Sequence, residues 1–464
     1  MRRWAILPLV ALAGGCAGSR PPIPADAAVA PPAHWRGISD AQSAPGVMRP
    51  QWWRDFADPA LDHLVEQALA GNTDLKIAAA RVREARAQFA LAASYLQPSL
   101  GIAGNGGRSR SLNAFGQGLD QSAITGEARI SYEIDLFGRL SATADAARAT
   151  VLANAFSQDA LRTSLIATVV SGYVTLRALD AQLAIIQATL VEREAELALV
   201  RRRYDAGYSA RVDLDQAQAE RAAAAQLVPT TQAAIARQEN SINALIGHMP
   251  GSVERGSALA GLNAMAVPSA LPSNVLRQRP DIAEAEARLA AADHSLDAAR
   301  AAFMPRINLS ASGGAVGSSV LANPVSLFAL GGSLLAPIYS GGALRAGVDG
   351  AAARRDQLAY AYRQTVLRAF QEVEDAMAGV DGAQRAWVEA RAQEEASREL
   401  LRLAQRRYRA GYASYLEQLD TERALLAIQL QLVDLQTRRL VQITTLYRGL
   451  GGGWQAPDAA ASPP

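Results

Sequence analysis

Residues 279–309, RPDIAEAEARLAAADHSLDAARAAFMPRINL, restate residues 72–100, NTDLKIAAARVREARAQFALAASYLQPSL, at a constant offset of 207. Asp74, Leu75, Arg81, Ala85, Ala92 and Pro98 return as Asp281, Ile282, Arg288, Ala292, Ala299 and Pro305. A second pair follows: RRYDAGYSARVDLDQAQAER from Arg202 returns as RRYRAGYASYLEQLDTERAL from Arg406, so Tyr204, Gly207 and Tyr208 match Tyr408, Gly411 and Tyr412. A period of about 200 residues is far longer than a solenoid unit. The chain is expected to fold as two similar halves in one body.

Outward from the repeat, the helical stretches are unusually long. Arg139 to Tyr204 holds no proline and one glycine, Gly172. A continuous helix of about 66 residues there would reach roughly 100 Å at about 1.5 Å per residue, well beyond ordinary globular helices. Its second half carries a 3-4 spacing at Leu179, Leu183, Ile186, Leu190, Leu197, Val200 and Tyr204, interrupted by Arg193. The last helix, about Tyr415 to Leu450, has one seam through Leu416, Leu419, Leu426, Leu430 and Val433 and another through Leu425, Ile428, Leu432 and Leu435. Two seams require two neighbours. Periodicity alone fits a ring of helices and a solid soluble bundle equally well.

Strand patterns lie between the helices. Ala128 to Phe137 sets Ile130, Tyr132, Ile134 and Leu136 against Arg129, Ser131, Glu133 and Asp135; RINLSASGG from Arg306 sets Ile307, Leu309 and Ala311 against Asn308, Ser310 and Ser312. Their lengths suit a tilted membrane strand with an apolar outside and a polar inside. Two weaker strands begin near Ser99 and span about Leu327 to Tyr339, with Gly-rich loops expected at Gly104 to Gly118 and Gly313 to Asn323. A soluble sheet with one wet face would show the same alternation. In a membrane, four strands leave two unpaired edges, at several kcal/mol per unsatisfied backbone group. A membrane barrel must then be shared between chains.

Composition narrows the class. Aromatic residues make up 6%, the net charge is +2, and Lys76 is the one lysine, a balance that does not point to nucleic acid. Arg2 and Arg3 precede a short apolar run, Trp4 to Leu12, that is too short to span a bilayer and reads as an export signal, residues 1–15. ALAGGC resembles a bacterial lipobox, which makes Cys16, the one cysteine, the expected lipidation site. Ala17, rather than Asp, after Cys16 implies outer-membrane sorting. Residues 16–50 read as an extended tether and residues 451–464 as a disordered tail. His34, His63, His248 and His294 form no metal spacing, and the Gly-rich loops join strand to strand rather than strand to helix. Neither enzyme chemistry nor a cofactor is expected.

The lipobox, WWRDFADPALDHLVEQAL from Trp52, LRQRPDIAEAEARL from Leu276, AARAAFMPRINLSASGG from Ala298 and the two YxxGY turns together resemble the TolC-like outer membrane factor family, in particular its lipoprotein members that serve RND-type efflux pumps. The resemblance runs from about Pro50 to Leu450. It implies a mostly α fold with a membrane β-barrel portion: a homotrimer whose protomers each give four strands to one twelve-stranded barrel and long helical hairpins to a coiled-coil tunnel. On that frame, residues 51–97 are equatorial and first helical segments and 98–137 the first β-hairpin. Residues 138–248 form a helical hairpin with its tip near 204–212, and 249–304 an equatorial linker and helix. Residues 305–339 give the second β-hairpin and 340–450 a second helical hairpin with its tip near 408–416.

The resemblance also assigns roles. The tips, with Tyr204, Gly207, Tyr208, Gly411 and Tyr412, are expected to receive a periplasmic adaptor protein, with Ser209 and Ser414 positioned to cap the return helices. Glu417 and Asp420, three apart on one helical face, correspond to acidic rings that constrict the pore. Asp213 is expected to hold the closed state by bonding Tyr408. The family's basic latch, two positions after the second glycine, is Ala413 here. The implied function is a passive outer-membrane exit duct, embedded in lipid and driven by an inner-membrane RND pump. A type I secretion channel shares the architecture, and a lipid-anchored periplasmic spacer would use the helices alone.

Overall fold

The computed structural model describes residues 22–32, 34–36, 49–112, 114–262 and 277–455. Cys16 and the end of the tail lie outside them. The helices are α1 (Pro59–Gly71), α2 (Thr73–Ser94), α3 (Arg139–Asp205), α4 (Arg211–Ile246), α5 (Pro280–Ala301), α6 (Ala343–Arg409) and α7 (Tyr415–Gly449). The strands are β1 (Ser99–Leu112), β2 (Gly118–Ile134), β3 (Arg306–Ser318) and β4 (Val325–Leu335). The offset of 207 carries α2 onto α5 at both ends. After β4 the offset becomes 204, which carries α3 onto α6, both 67 residues long. The duplication is therefore structural, element by element.

The chain divides into two compact units: one with Ala79–Phe156 and Ala283–Thr365, the other with Ala30–Ala78, Ser157–Ile282 and Val366–Pro464. The first holds a four-stranded antiparallel sheet in the order β1-β2-β3-β4. Its register is unbroken, so partners share a face. Leu100↔Ile130, Ile130↔Ala311, Tyr132↔Leu309 and Ile307↔Leu334 fall on one side; Arg129↔Ser312 and Glu133↔Asn308 fall on the other. Apolar and polar faces separate in β2 and β3 as the alternation predicts, whereas β4 also sets Val325, Leu327 and Leu335 on the polar side. β1 and β4 are edges with no partner strand among the described residues.

The loop expectations need correcting. Gly104 to Leu112 is strand, paired residue by residue with Gly118 to Gly126, and β3 continues to Ser318. Glycine and serine there hide the alternation, but the partner strand still supplies backbone hydrogen bonds. β2 ends at Ile134 because Asp135 turns to cap α3, accepting from Leu140 N–H at 2.9 Å and Ser141 N–H at 2.7 Å. The described tether residues of this unit run along α6: Arg355 donates to the Pro22 carbonyl (2.7 Å), and Tyr360 to Asp26 (2.9 Å).

The second unit is built around Trp52, Trp53 and Phe56, which pack on Val169, Tyr173, Leu176, Ile242 and Leu440. α3 contains a stretch apolar enough to cross a bilayer, but its Val169, Val170, Tyr173, Val174 and Leu176 are buried in this core. Asp58 is the polar hub. Its carboxylate caps α1 through Ala60 N–H (2.9 Å) and takes the Tyr173 hydroxyl (2.9 Å) and Ser257 N–H (2.8 Å). The RQRPD stretch does similar work: buried Arg279 grips Asp281 at 2.7 Å, Glu372 at 3.1 Å and the Gly449 carbonyl at 2.9 Å.

Candidate functional site

Both helical hairpins turn by the same backbone device. In the first, Tyr208 N–H bonds the Arg203 carbonyl at 2.7 Å and Gly207 N–H the Tyr204 carbonyl at 2.9 Å; in the second, Tyr412 N–H bonds Arg407 at 2.8 Å and Gly411 N–H bonds Tyr408 at 3.0 Å. This is a Schellman closure, which needs a left-handed residue after the helix. Gly207 (φ 78°) and Gly411 (φ 81°) supply it. Ser414 caps α7, accepting from Glu417 N–H at 3.2 Å. Ser209 does not cap α4. The cap position is Ala210, whose N–H is taken by the Asp213 carboxylate at 3.3 Å.

Beneath the turns lies a small core of Val200, Leu214, Ala217, Tyr408, Tyr415 and Leu419, which ties α3 and α4 to α6 and α7. Tyr408 and Tyr415 rings meet at 5.7 Å, and Arg203 lies 5.0 Å over the Tyr408 ring. Tyr204 packs partly buried against this core, whereas Tyr208 and Tyr412 project with 85% and 80% exposure. Of the expected contact residues, the outermost tyrosines and the glycines therefore form the exposed tip. The expected Asp213–Tyr408 bond is not made within the protomer: Asp213 caps α4, and the buried Tyr408 hydroxyl has no partner among the described residues.

The two acidic candidates are each paired. Glu417 meets Arg407 at 2.7 Å and Asp420 meets Arg423 at 3.4 Å. Arg407 reaches Glu417 from before the turn, so a basic partner is present although position 413 is alanine. Both pairs are well exposed and contribute little on their own.

A buried polar layer one step further from the tip escaped the sequence reading. Arg193 of α3 is bonded to Glu422 of α7 and lies 4.0 Å from Glu220 of α4; its side chain is 5% exposed. Arg423 of α7 also bonds Glu220. Gln418 donates to Glu196 at 2.5 Å and Glu422 at 2.8 Å. Glu422 and Glu220 thus share Arg193, Arg423 links Glu220 to Asp420, and Glu196 joins the layer through Gln418. Burial, then the neighbouring Glu422 charge, pushes the Glu196 carboxyl up to about 7. One signal was available: Arg193 falls where the 3-4 seam calls for an apolar residue. Glu196 and Glu422 face a cleft of about 890 Å³ between α3, α6 and α7, with Arg402 and Gln405 on its far wall.

This architecture can be set beside known proteins. The sequence pattern of the outer membrane efflux protein family matches residues 64–248 and, a second time, residues 271–452. The chain belongs to that family. The double match follows the internal duplication. The pyoverdine export outer membrane protein OpmQ of Pseudomonas putida is 35% identical over 98% of both chains. The cation efflux system protein CusC of Escherichia coli is 34% identical over 87% of this chain and 88% of its own. The structure of the outer-membrane channel OprN superposes with a TM-score of 0.85 at 30% identity, covering 95% of this chain and all of that one. The efflux protein accordingly has the TolC-like fold expected from its sequence, and acts as an outer-membrane exit duct.

Proposed function

We propose that three copies of this efflux protein close one barrel through lipid and one helical tunnel below it, coupled by a periplasmic adaptor to an inner-membrane RND pump. The open sheet carries this reading. Over β2 and β3 it is apolar on one face and polar on the other, and its β1 and β4 edges have no partner strand among the described residues. An edge of bare backbone groups in hydrocarbon is prohibitive, and pairing β1 of one copy with β4 of the next removes every edge at once. Cys16 would anchor the mature chain by lipid.

The duct does no chemistry of its own. Its gate is the hairpin end, where Arg193, Arg423, Glu220 and Glu422 tie α3 and α4 to α7. Opening is a change between packed states that breaks these pairs and spreads the hairpins. Glu417 and Asp420, each paired with an arginine within the protomer, would form stacked acidic rings that constrict the entrance in the trimer. Tyr208 and Tyr412 present the adaptor with two amphipathic rings. Pyoverdine and cations appear in the names of relatives with this fold, which fits a duct that transmits whatever its pump delivers and favours the pump over protein secretion. Conductance of the purified protein in planar bilayers tests the proposal: low current from wild type and large steady current once the hairpin ties are removed support it, and no current from either refutes it.

A further inference from the structure

The outward face of the sheet has two unlike rims. Its apolar band runs along β2 from Ile134 to Ile124, paired at its two ends with Ile307 and Gly317 of β3. Ten residues at about 3.3 Å each, tilted about 40°, give roughly 25 Å of height, the height of the apolar band of an outer-membrane barrel. The helix-bearing rim carries exposed Phe137, Ile338 and Tyr339. Beyond Ile124, toward the hairpin turns, the same face continues as Ser122 and Asp120 on β2, opposite Arg108 and Arg110 on β1.

The unbroken register fixes this placement, because Arg108 and Arg110 share the face of Leu100 and Ile102. They stand roughly 5 and 10 Å above the band by the same arithmetic, at the level of outer-leaflet headgroups. The Arg108 side chain is 75% exposed and its approach to Asp120 is loose, 3.9 Å. Asp120 is the one carboxylate at this rim against two guanidinium groups, leaving positive charge pointed at lipid. Guanidinium is the side-chain group best shaped to take a phosphate by two parallel hydrogen bonds, and its aliphatic stem can lie along the apolar band.

We propose that Arg108 and Arg110 form a collar that binds the phosphate groups of an anionic glycolipid of the outer leaflet. The inference rests on the outer-membrane duct reading, since it needs the hairpin turns to face outward. Around a trimer the collar would repeat three times and fix the height of the barrel in the bilayer.

Purified wild-type protein in detergent, titrated with lipopolysaccharide and with its dephosphorylated form, tests the collar, with the Arg108→Gln plus Arg110→Gln variant alongside and bilayer conductance recorded for both. The expected result is binding of the phosphorylated lipid at least about tenfold tighter than of the dephosphorylated one, with that preference lost in the variant while conductance is kept. Equal binding of the two lipids by wild type overturns the collar, even if the variant fails to fold. So does a variant that keeps the preference. Absence of current both from wild type and from protein whose hairpin ties are removed would instead strike the duct reading.

Discussion

Arg193 of α3 and Glu422 of α7 form an ion pair with side chains 5% and 10% exposed, joining the first helical hairpin to the second. Desolvation of both charges makes such a pair costly to break from one side, about 3–5 kcal/mol when a partner is removed. Arg193→Met is therefore expected to loosen the hairpin end and raise single-channel conductance several-fold, with Arg193→Lys intermediate. A double-mutant cycle with Glu422→Gln should recover part of the loss. Unchanged conductance in Arg193→Met would remove this pair from the gate.

The same layer predicts a pH response. Glu196 has its carboxyl raised from the ordinary 4.5 to about 7 by burial and the adjacent Glu422. A raised acid binds its proton more tightly when folded, so this contribution is full below about 4.5 and is lost as pH rises through about 7. Protonated Glu196 leaves Glu220 and Glu422 balanced by Arg193 and Arg423; ionised Glu196 adds a third buried negative charge. Closed-state stability should fall, and open probability should rise, between pH 6 and 8 on the order of one titrating group. Glu196→Gln should flatten that profile. Current traces over this range check it, and a steeper response in the variant would refute it.

Gly207 and Gly411 test the turns. A Cβ at either meets nothing within 4 Å, yet both have positive φ, so Gly411→Ala costs only backbone strain, about 1–2 kcal/mol. The global melting temperature should drop by a few degrees at most, while hydrogen exchange quickens at residues 406–416. Loss of the whole fold would mean the turn does more than close the helix.

Much of this protein was legible along the chain, and the reasons are local. The offsets of 207 and 204 located the paired helices, and the alternation from Arg129 to Ile134 gave both sheet faces. Gly104 to Leu112 misled because glycine and serine carry no face; only the partner strand makes that segment a strand. Ser209 misled by one residue, since Asp213 reaching back to Ala210 made a hydroxyl cap unnecessary. The polar layer sets Arg193 and Glu220 beside Glu422, more than 200 positions away, which no single-helix pattern can bring together. Arg193 did leave a trace as a break in an apolar seam.

The hub at Asp58 offers a stability test independent of gating. The Tyr173 hydroxyl donates to Asp58 and accepts from Gly256 N–H at 2.9 Å. Tyr173→Phe strips a buried carboxylate and a backbone donor of a partner together, an expected loss of about 1–3 kcal/mol. Gly256→Ala should be worse, because its Cβ would lie 2.0 Å from the Asp58 carboxylate. Chemical denaturation of the purified protein compares them, and a Tyr173→Phe variant as stable as wild type would contradict the hub.

The mass of the detergent-solubilised, signal-processed protein bears most directly on the central claim that one chain supplies only part of a barrel. Native mass spectrometry should return a single species of three mature chains, which falls to one only when the β1 and β4 edges are disrupted. A stable, detergent-free monomer with the same sheet would contradict the account.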